Sequence, residues 1–236
     1  MFPEPRSLQL SVRTVVDRTP RTREISLMSA DLVGFSWLPG QDISLGFSTA
    51  GGIVRRRYSI RRVDHGAGSL DINVVMHGDG PGMRWAKQAR PGMTIEGIAP
   101  RGKITVAPEA DWHLFAGDAT AVPAALAMME ALPETVPVLG FFLVDDRTEQ
   151  QAVPGSRPIR AVEWRFRDED FRDALRRADL PNGSGHAYVA GEVALVSGLK
   201  ADLQARGWDA GTISAKAYWN RGRANAGHGE PEQKAS

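Results

Sequence analysis

Residues 112–132 read WHLFAGDATAVPAALAMMEAL. An apolar run stops at a Gly-Asp pair, and an alanine-rich stretch follows. This is the pattern of a buried strand, a tight turn and a helix that starts near Pro123. The same unit recurs toward the C-terminus. PVLGFFLVDD (137–146) is a continuous apolar run, as in a parallel strand covered on both faces. AVEWRF (161–166) reads as a short strand and DEDFRDALRRADL (168–180) as an amphipathic helix. HAYVAGEVALVSGLKADLQARGW (186–208) is again strand, turn and helix, and TISAKAYW (212–219) is a last strand. Strands alternating with helices predict an open parallel sheet with helices on its faces.

Toward the N-terminus the pattern is different. LQLSVRTVV (8–16) alternates apolar and polar residues, the period of a half-buried strand. REISLMSA (23–30), DISLGFS (42–48), IVRRRYSIRRV (53–63) and SLDINVVMHG (69–78) follow, separated by Gly, Pro or Asp signals. PGMTIEGIAPRGKITV (91–106) reads as a turn and two further strands. Short strands at this spacing predict a small, closed, six-stranded antiparallel barrel. The one helix expected here is GPGMRWAKQAR (80–90), opened by Gly80, Pro81 and Gly82 and stopped before Pro91. The domains expected are therefore a barrel over 1–107, an α/β domain over 108–223 and a disordered tail over 224–236, with the change of pattern at APEAD (107–111).

Composition narrows the functional classes. The 236 residues are 42% hydrophobic and 24% charged, ordinary values for a soluble globular protein. A net charge of +1 gives no overall field toward nucleic acid or a membrane surface. The absence of cysteine excludes disulfides, thiolate catalysis, iron–sulfur clusters and cysteine zinc sites. The start, MFPEPRSLQL, has no signal-peptide core, and no apolar run reaches membrane-spanning length. A cytoplasmic location is expected, with no nucleic-acid or membrane partner; the oligomeric state stays open, with a monomer favoured.

Three constellations carry chemistry. In Arg56-Arg57-Tyr58-Ser59, strand periodicity turns Arg56 and Tyr58 to one face. A cation beside an aromatic ring suits a ligand with phosphates and a flat ring system. Taken alone, the stretch reads more readily as a solvated basic strand. In His77–Trp85 a strand ends and a glycine-rich turn opens a helix, whose free N–H groups attract phosphate. Gly80 and Gly82 permit close approach, and Arg84 and Trp85 stand beside it; an ordinary turn with a core tryptophan is the competing reading. In AGDATAVPA (116–124), and again in Ala190-Gly191-Glu192, a strand gives way to a turn and a helix, where ligands of open α/β sheets bind. Neither is the GxGxxG fingerprint.

The order RRYSIR (56–61), HGDGPGMRWAKQARPG (77–92), AGDATAVPA, VAGE (189–192) and AYWNRG (217–222) resembles the siderophore-interacting protein family of ferric-siderophore reductases, a branch of the ferredoxin–NADP reductase fold. The resemblance runs over about residues 8–223. It implies FAD on the barrel and NAD(P)H approaching from the α/β domain, with the flavin between them. Arg56, Arg57, Tyr58 and Ser59 match the flavin motif. His77, with Val75 and Met76 before it, and the turn Gly80, Pro81, Gly82, Met83 and Trp85 match the segment on the flavin and its pyrophosphate. Gly117, Asp118, Thr120, Ala121 and Pro123 match the nicotinamide-side turn, Gly191 and Glu192 the second turn, and Tyr218 and Trp219 the C-terminal aromatic pair. The family usually has Glu at Ala119, Ala-Ser at Gly82-Met83 and Arg at Asn220.

What the resemblance implies is electron transfer from NAD(P)H, or from a ferredoxin, through FAD to Fe(III) of a siderophore, with no catalytic side chain and no resident metal. Lys216, Arg221 and Arg223 are the candidate basic rim for an anionic ferric siderophore. A reductase with another acceptor and a siderophore carrier without redox activity stay open as alternatives.

Overall fold

The computed structural model describes residues 2–153 and 160–222. The chain divides into two compact units, one running to Val106 together with Leu126–Ala131, the other holding Ala107–Ala125 and the chain from Leu132 on.

The first unit is a closed antiparallel barrel of six strands: β1 (Arg6–Thr19), β2 (Thr22–Met28), β3 (Asp42–Thr49), β4 (Gly52–Asp64), β5 (Ser69–Val75) and β6 (Thr94–Arg101). The order around the barrel is β1-β2-β5-β4-β3-β6. The period-2 alternation does what it must in a closed sheet. Leu8, Leu10 and Val12 of β1, Ile25 and Leu27 of β2, Ile43 and Leu45 of β3, and Leu70 and Ile72 of β5 all point inward and are at most 2% exposed. One helix, α1 (Pro81–Gln88), adds Met83 and Ala86 to this core. The sequence predicts two strands in 91–106, but the structure has one. Lys103–Val106 is not a strand. Six strands already close the barrel, so no unpaired edge remains for a seventh to join.

The second unit is a five-stranded parallel sheet of order β11-β10-β7-β8-β9. Its strands are β7 (Trp112–Asp118), β8 (Val138–Leu143), β9 (Arg160–Arg165), β10 (Gly185–Glu192) and β11 (Ile213–Trp219). β7 follows the expected boundary directly, and all seven of its residues are buried. Helices α3 (Asp168–Arg177) and α4 (Val193–Ala205) lay Phe171, Leu175, Leu199 and Leu203 over Leu114, Ala116, Ala187 and Val189 of the sheet. Helix α2 (Val122–Ala131) follows β7 and is buried from Val122 to Met129. Its alanines make it apolar all round, as a fully covered helix is. The expected tail, 224–236, lies outside the described residues.

Candidate functional site

The barrel part of the site is built on the β3–β4 hairpin and the start of α1. In the antiparallel register Leu45 opposes Arg56 and Ile43 opposes Tyr58, so Arg56 and Tyr58 share the inward face. Arg57 opposes Ser44 and points the other way. Its guanidinium pairs with the buried Asp42 carboxylate at 2.7 Å. Arg57 thus ties β4 to β3 from the strand face opposite to that of Arg56 and Tyr58. Arg56 turns one Nη to the Arg55 carbonyl at 2.8 Å.

The Tyr58 phenol reaches the first turn of α1. A Cβ at Gly82 would overlap its hydroxyl, so only glycine permits this approach without movement. Phe47 meets the Tyr58 ring edge-on, with centroids 6.4 Å apart. Burial pushes the Tyr58 phenol well above its ordinary pKa, with Arg56 opposing weakly. The Tyr58 phenol therefore stays protonated and neutral at neutral pH. The α1 N-terminus is left open: Gly80 is the N-cap and offers no side-chain bond, Pro81 follows, and the first turn carries no acid. Most helix starts satisfy their N–H groups with a capping side chain or attract an acid, and this one does neither. The side chain of Met83 is in the barrel core at 7% exposure, so only its backbone can meet a ligand. Val75 closes β5, Met76 packs partly on the core, and His77 is exposed beyond them.

The α/β part centres on Asp118, at the C-terminal end of β7 and 9% exposed. One carboxylate oxygen accepts from Thr120 N–H at 2.8 Å and from the Thr120 hydroxyl at 2.5 Å. The other accepts from Glu192 N–H at 2.7 Å and from Trp219 Nε1–H at 2.9 Å. One buried carboxylate thus fastens the ends of β7, β10 and β11. The glycines allow it. A Cβ at Gly117 would overlap the Ala190 carbonyl, and one at Gly191, whose φ is +133°, would lie 2.6 Å from the Asp118 carboxylate. Glu192 caps α4 through Ala194 N–H at 2.6 Å and Leu195 N–H at 3.1 Å. Asp118, Thr120 and one carboxylate oxygen of Glu192 therefore spend their polar atoms inside the turns, while Ala121, just before α2, and Pro123, within it, are buried. What these turns offer a ligand is backbone and shape.

The basic rim is changed by the structure. Lys216 is 5% exposed, with its ammonium 5.6 Å from the Tyr218 ring centroid, so it is not a surface charge. On β11 it alternates with Ile213 and Ala215, which pack in the core of this unit, so it is buried on the opposite face of the strand. Arg221 is exposed, with its N–H on Glu192 Oε1 at a long 3.4 Å. Arg223 lies outside the described residues.

Two family profiles together match most of this architecture. Residues 45–104 match the "Siderophore-interacting FAD-binding domain" and residues 110–222 the "Siderophore-interacting protein". The chain belongs to the siderophore-interacting protein family. Ferric vibriobactin reductase ViuB of Vibrio cholerae is 34% identical over 179 residues, which cover 72% of this chain and 66% of that protein. The NADPH-dependent ferric-chelate reductase of Escherichia coli is 27% identical over 155 residues, 64% of this chain and 61% of that protein. A siderophore utilization protein from T. fusca superposes with a TM-score of 0.88 at 29% identity, covering 97% of this chain and 98% of its own. The barrel and parallel sheet are thus the ferredoxin-reductase-like fold that the sequence order implied. The FAD-binding profile covers β4, β5 and α1, the elements that carry Arg56, Tyr58 and the open helix start. Those residues fit the cofactor: an arginine for phosphate, a neutral phenol ring for stacking and an uncapped glycine turn for the pyrophosphate.

Among the described residues no helix is long and apolar enough to cross a membrane, and no cluster of His, Asp and Glu could hold a metal ion.

Proposed function

We propose that this protein is an FAD-dependent ferric-siderophore reductase that draws electrons from NAD(P)H or a ferredoxin and releases iron as Fe(II). The observation that carries the reading is the pairing of Tyr58 and Arg56 with an uncapped, acid-free helix start at Gly80–Gly82. FAD held here would supply a carrier able to take two electrons together and give them up singly, which would match a hydride donor to two one-electron ferric acceptors. The chain's own residues bind and orient. Arg56 neutralises phosphate, the first turn of α1 offers N–H groups, and Tyr58 presents a neutral ring. Gly117, Ala119 and Gly191 keep the α/β turns small enough for a nicotinamide nucleotide to approach. Trp219, held at its indole N–H by Asp118, has a fixed ring plane. No side chain is assigned as an acid or base: the hydride from NAD(P)H supplies two electrons to two Fe(III), and the one proton left over is lost to solvent. The hard ferric ion suits siderophore oxygens far better than Fe(II) does, so reduction itself loosens the metal. Arg221 is the exposed cation proposed to attract an anionic ferric siderophore.

The activities for which two relatives are named support this reading, one a ferric siderophore reductase and the other dependent on NADPH. The test is anaerobic spectroscopy of the purified protein. A yellow, one-flavin protein should bleach with NADPH, NADH or reduced ferredoxin, whichever is the donor. It should regain its colour on adding a ferric siderophore, with Fe(II) captured by a ferrous chelator. A protein that takes up no flavin, or whose reduced flavin ignores ferric siderophores, overturns the proposal.

A further inference from the structure

Helix α1 has eight residues, and a helix of that length is not stable in water by itself, so its placement depends on what holds it. Met83 and Ala86 seat its middle in the barrel core, and the Trp85 ring lies against Phe47 with centroids 5.7 Å apart. The last turn is closed differently. The final carbonyls of a helix have no partner within it, and a left-handed residue, usually glycine, often closes them. Here the chain leaves through Ala89, with φ −55° and ψ 130°, and then Arg90, which precedes Pro91 and so favours extended backbone. The guanidinium of Arg23, on β2, closes the turn from outside. Its Nη1 donates to the Ala86 carbonyl at 3.0 Å and to the Lys87 carbonyl at 3.4 Å. Its other edge is held by Asp17, the residue directly across on β1: Nε donates to Oδ1 at 2.7 Å and Nη2 to Oδ2 at 3.0 Å. A planar fork gripped at one edge by a carboxylate has a fixed direction, and this one points at the end of α1.

We propose that Arg23 is a positioning residue: clamped by Asp17, it pins the last turn of α1 to the β1–β2 hairpin and so holds the open first turn in place beside Tyr58. The inference rests on the flavin reading above, and it adds a residue outside the stretch 45–104 that matches the FAD-binding profile. Eight helical residues span about 12 Å, so Arg23 acts along the helix from its far end. Two observations favour placement over bulk stability as its role. The first turn has little tolerance. A Cβ at Gly82 would already overlap the Tyr58 hydroxyl, so a small movement of the helix changes the spacing between the phenol and the free N–H groups. The clamp itself faces solvent, with the Asp17 side chain 58% exposed and that of Arg23 22%. An exposed ion pair adds little to folding stability, whereas a site that meets phosphate through backbone N–H groups needs its donors fixed to within about 0.5 Å. The cation at the last turn also suits the negative end of the helix.

The experiment is titration of flavin-stripped protein with FAD, FMN and riboflavin, followed by flavin fluorescence, for wild type, Arg23→Ala, Arg23→Lys and Asp17→Asn. Arg23→Ala should lose about fivefold to twentyfold for FAD and FMN, whose phosphates meet the first turn, and keep wild-type affinity for riboflavin, which has no phosphate. Arg23→Lys retains a charged donor for the Ala86 carbonyl and should recover part of that loss. Asp17→Asn loosens the fork and should lose about twofold to fivefold for the two phosphorylated flavins alone. Amide hydrogen exchange of flavin-free Arg23→Ala should quicken over residues 82–88 and stay unchanged in the barrel strands. Should Arg23→Ala not fold, Asp17→Asn carries the same comparison. Wild-type affinity for FAD in these variants, or a loss that includes riboflavin in parallel, overturns the positioning role and leaves the flavin reading standing. Failure of wild type to bind any of the three flavins overturns both.

Discussion

The two halves of the molecule treat their polar groups in opposite ways. In the α/β unit the turns are internally satisfied: Asp118 accepts from four donors and Glu192 caps α4. In the barrel the helix start has no cap, and Trp85 Nε1 and Arg55 Nη1 are buried without partners. Satisfied turns are rigid and hold shape; they suit a module that a diffusible nucleotide visits and leaves. Unsatisfied donors reward a ligand that supplies acceptors, and they suit a module that keeps its cofactor. Under the proposed function, the difference would separate a prearranged docking surface from a site whose polar groups are matched to a retained group.

The comparison breaks most sharply at Asp118. Asp118→Ala leaves two backbone N–H groups, an indole N–H and a hydroxyl unpaired in a buried position. It should destabilise the α/β unit by about 3 kcal/mol or more, read from urea unfolding. FAD affinity should stay at the wild-type value, and a loss of flavin with no loss of stability would erase the distinction drawn here. The barrel counterpart is Arg56→Ala. It should cost about 1.5–3 kcal/mol of FAD binding in isothermal titration, through a lost charge-assisted phosphate contact, with unfolding unchanged. A loss of stability in place of binding would make Arg56 a structural residue like Arg57.

A third prediction sharpens the account of the α/β unit. His113 is 1% exposed and stacks with Tyr188, centroids 5.9 Å apart. Burial, aided by repulsion from His186, holds its imidazole down at about 4 against an ordinary 6.5. The Tyr188 hydroxyl accepts from Ala107 N–H at 2.7 Å and lies 3.4 Å from His113 Nδ1. Because the folded value is depressed, the unfolded chain takes up this proton first as pH falls. The stabilisation is fully present above about pH 6.5 and is lost as pH falls toward 4. Between pH 7 and pH 5 the loss should be about 2 kcal/mol, and His113→Phe should flatten that part of the stability profile. The smallest effect expected is at the rim. Arg221→Gln should raise the apparent KM for an anionic ferric siderophore by about twofold at low ionic strength, and the difference should vanish near 0.5 M salt. An effect that persists at high salt would indicate direct contact and not attraction at a distance.

Much of the frame is written in local patterns. The period-2 runs 8–16, 23–30 and 42–48 and the strand–turn–helix units from Trp112 onward name the barrel and the parallel sheet, because periodicity follows from which face must be buried. The Pro81 helix start and its glycines are equally local, and so is the sharing of one face by Arg56 and Tyr58. Other features depend on which strand lies beside which. Lys103–Val106 has strand-like residues but no free sheet edge to join. Arg57 is a salt-bridge residue only because the β3–β4 register brings the buried Asp42 diagonally across from it, and Lys216 is buried only because its face of β11 is covered. Phe47 alternates inward in DISLGFS, yet its place between Tyr58 and Trp85 requires both the β3–β4 register and the seating of α1. Asp118 looks like one more turn residue until β10 and β11 bring Glu192 and Trp219 to it across 74 and 101 positions of chain. The sequence by itself determined the elements, their order and the open helix start, since these rest on interactions between near neighbours. Tertiary structure alone decided which polar groups found partners, because hydrogen bonds and ion pairs between distant segments depend on register and packing that no local pattern encodes.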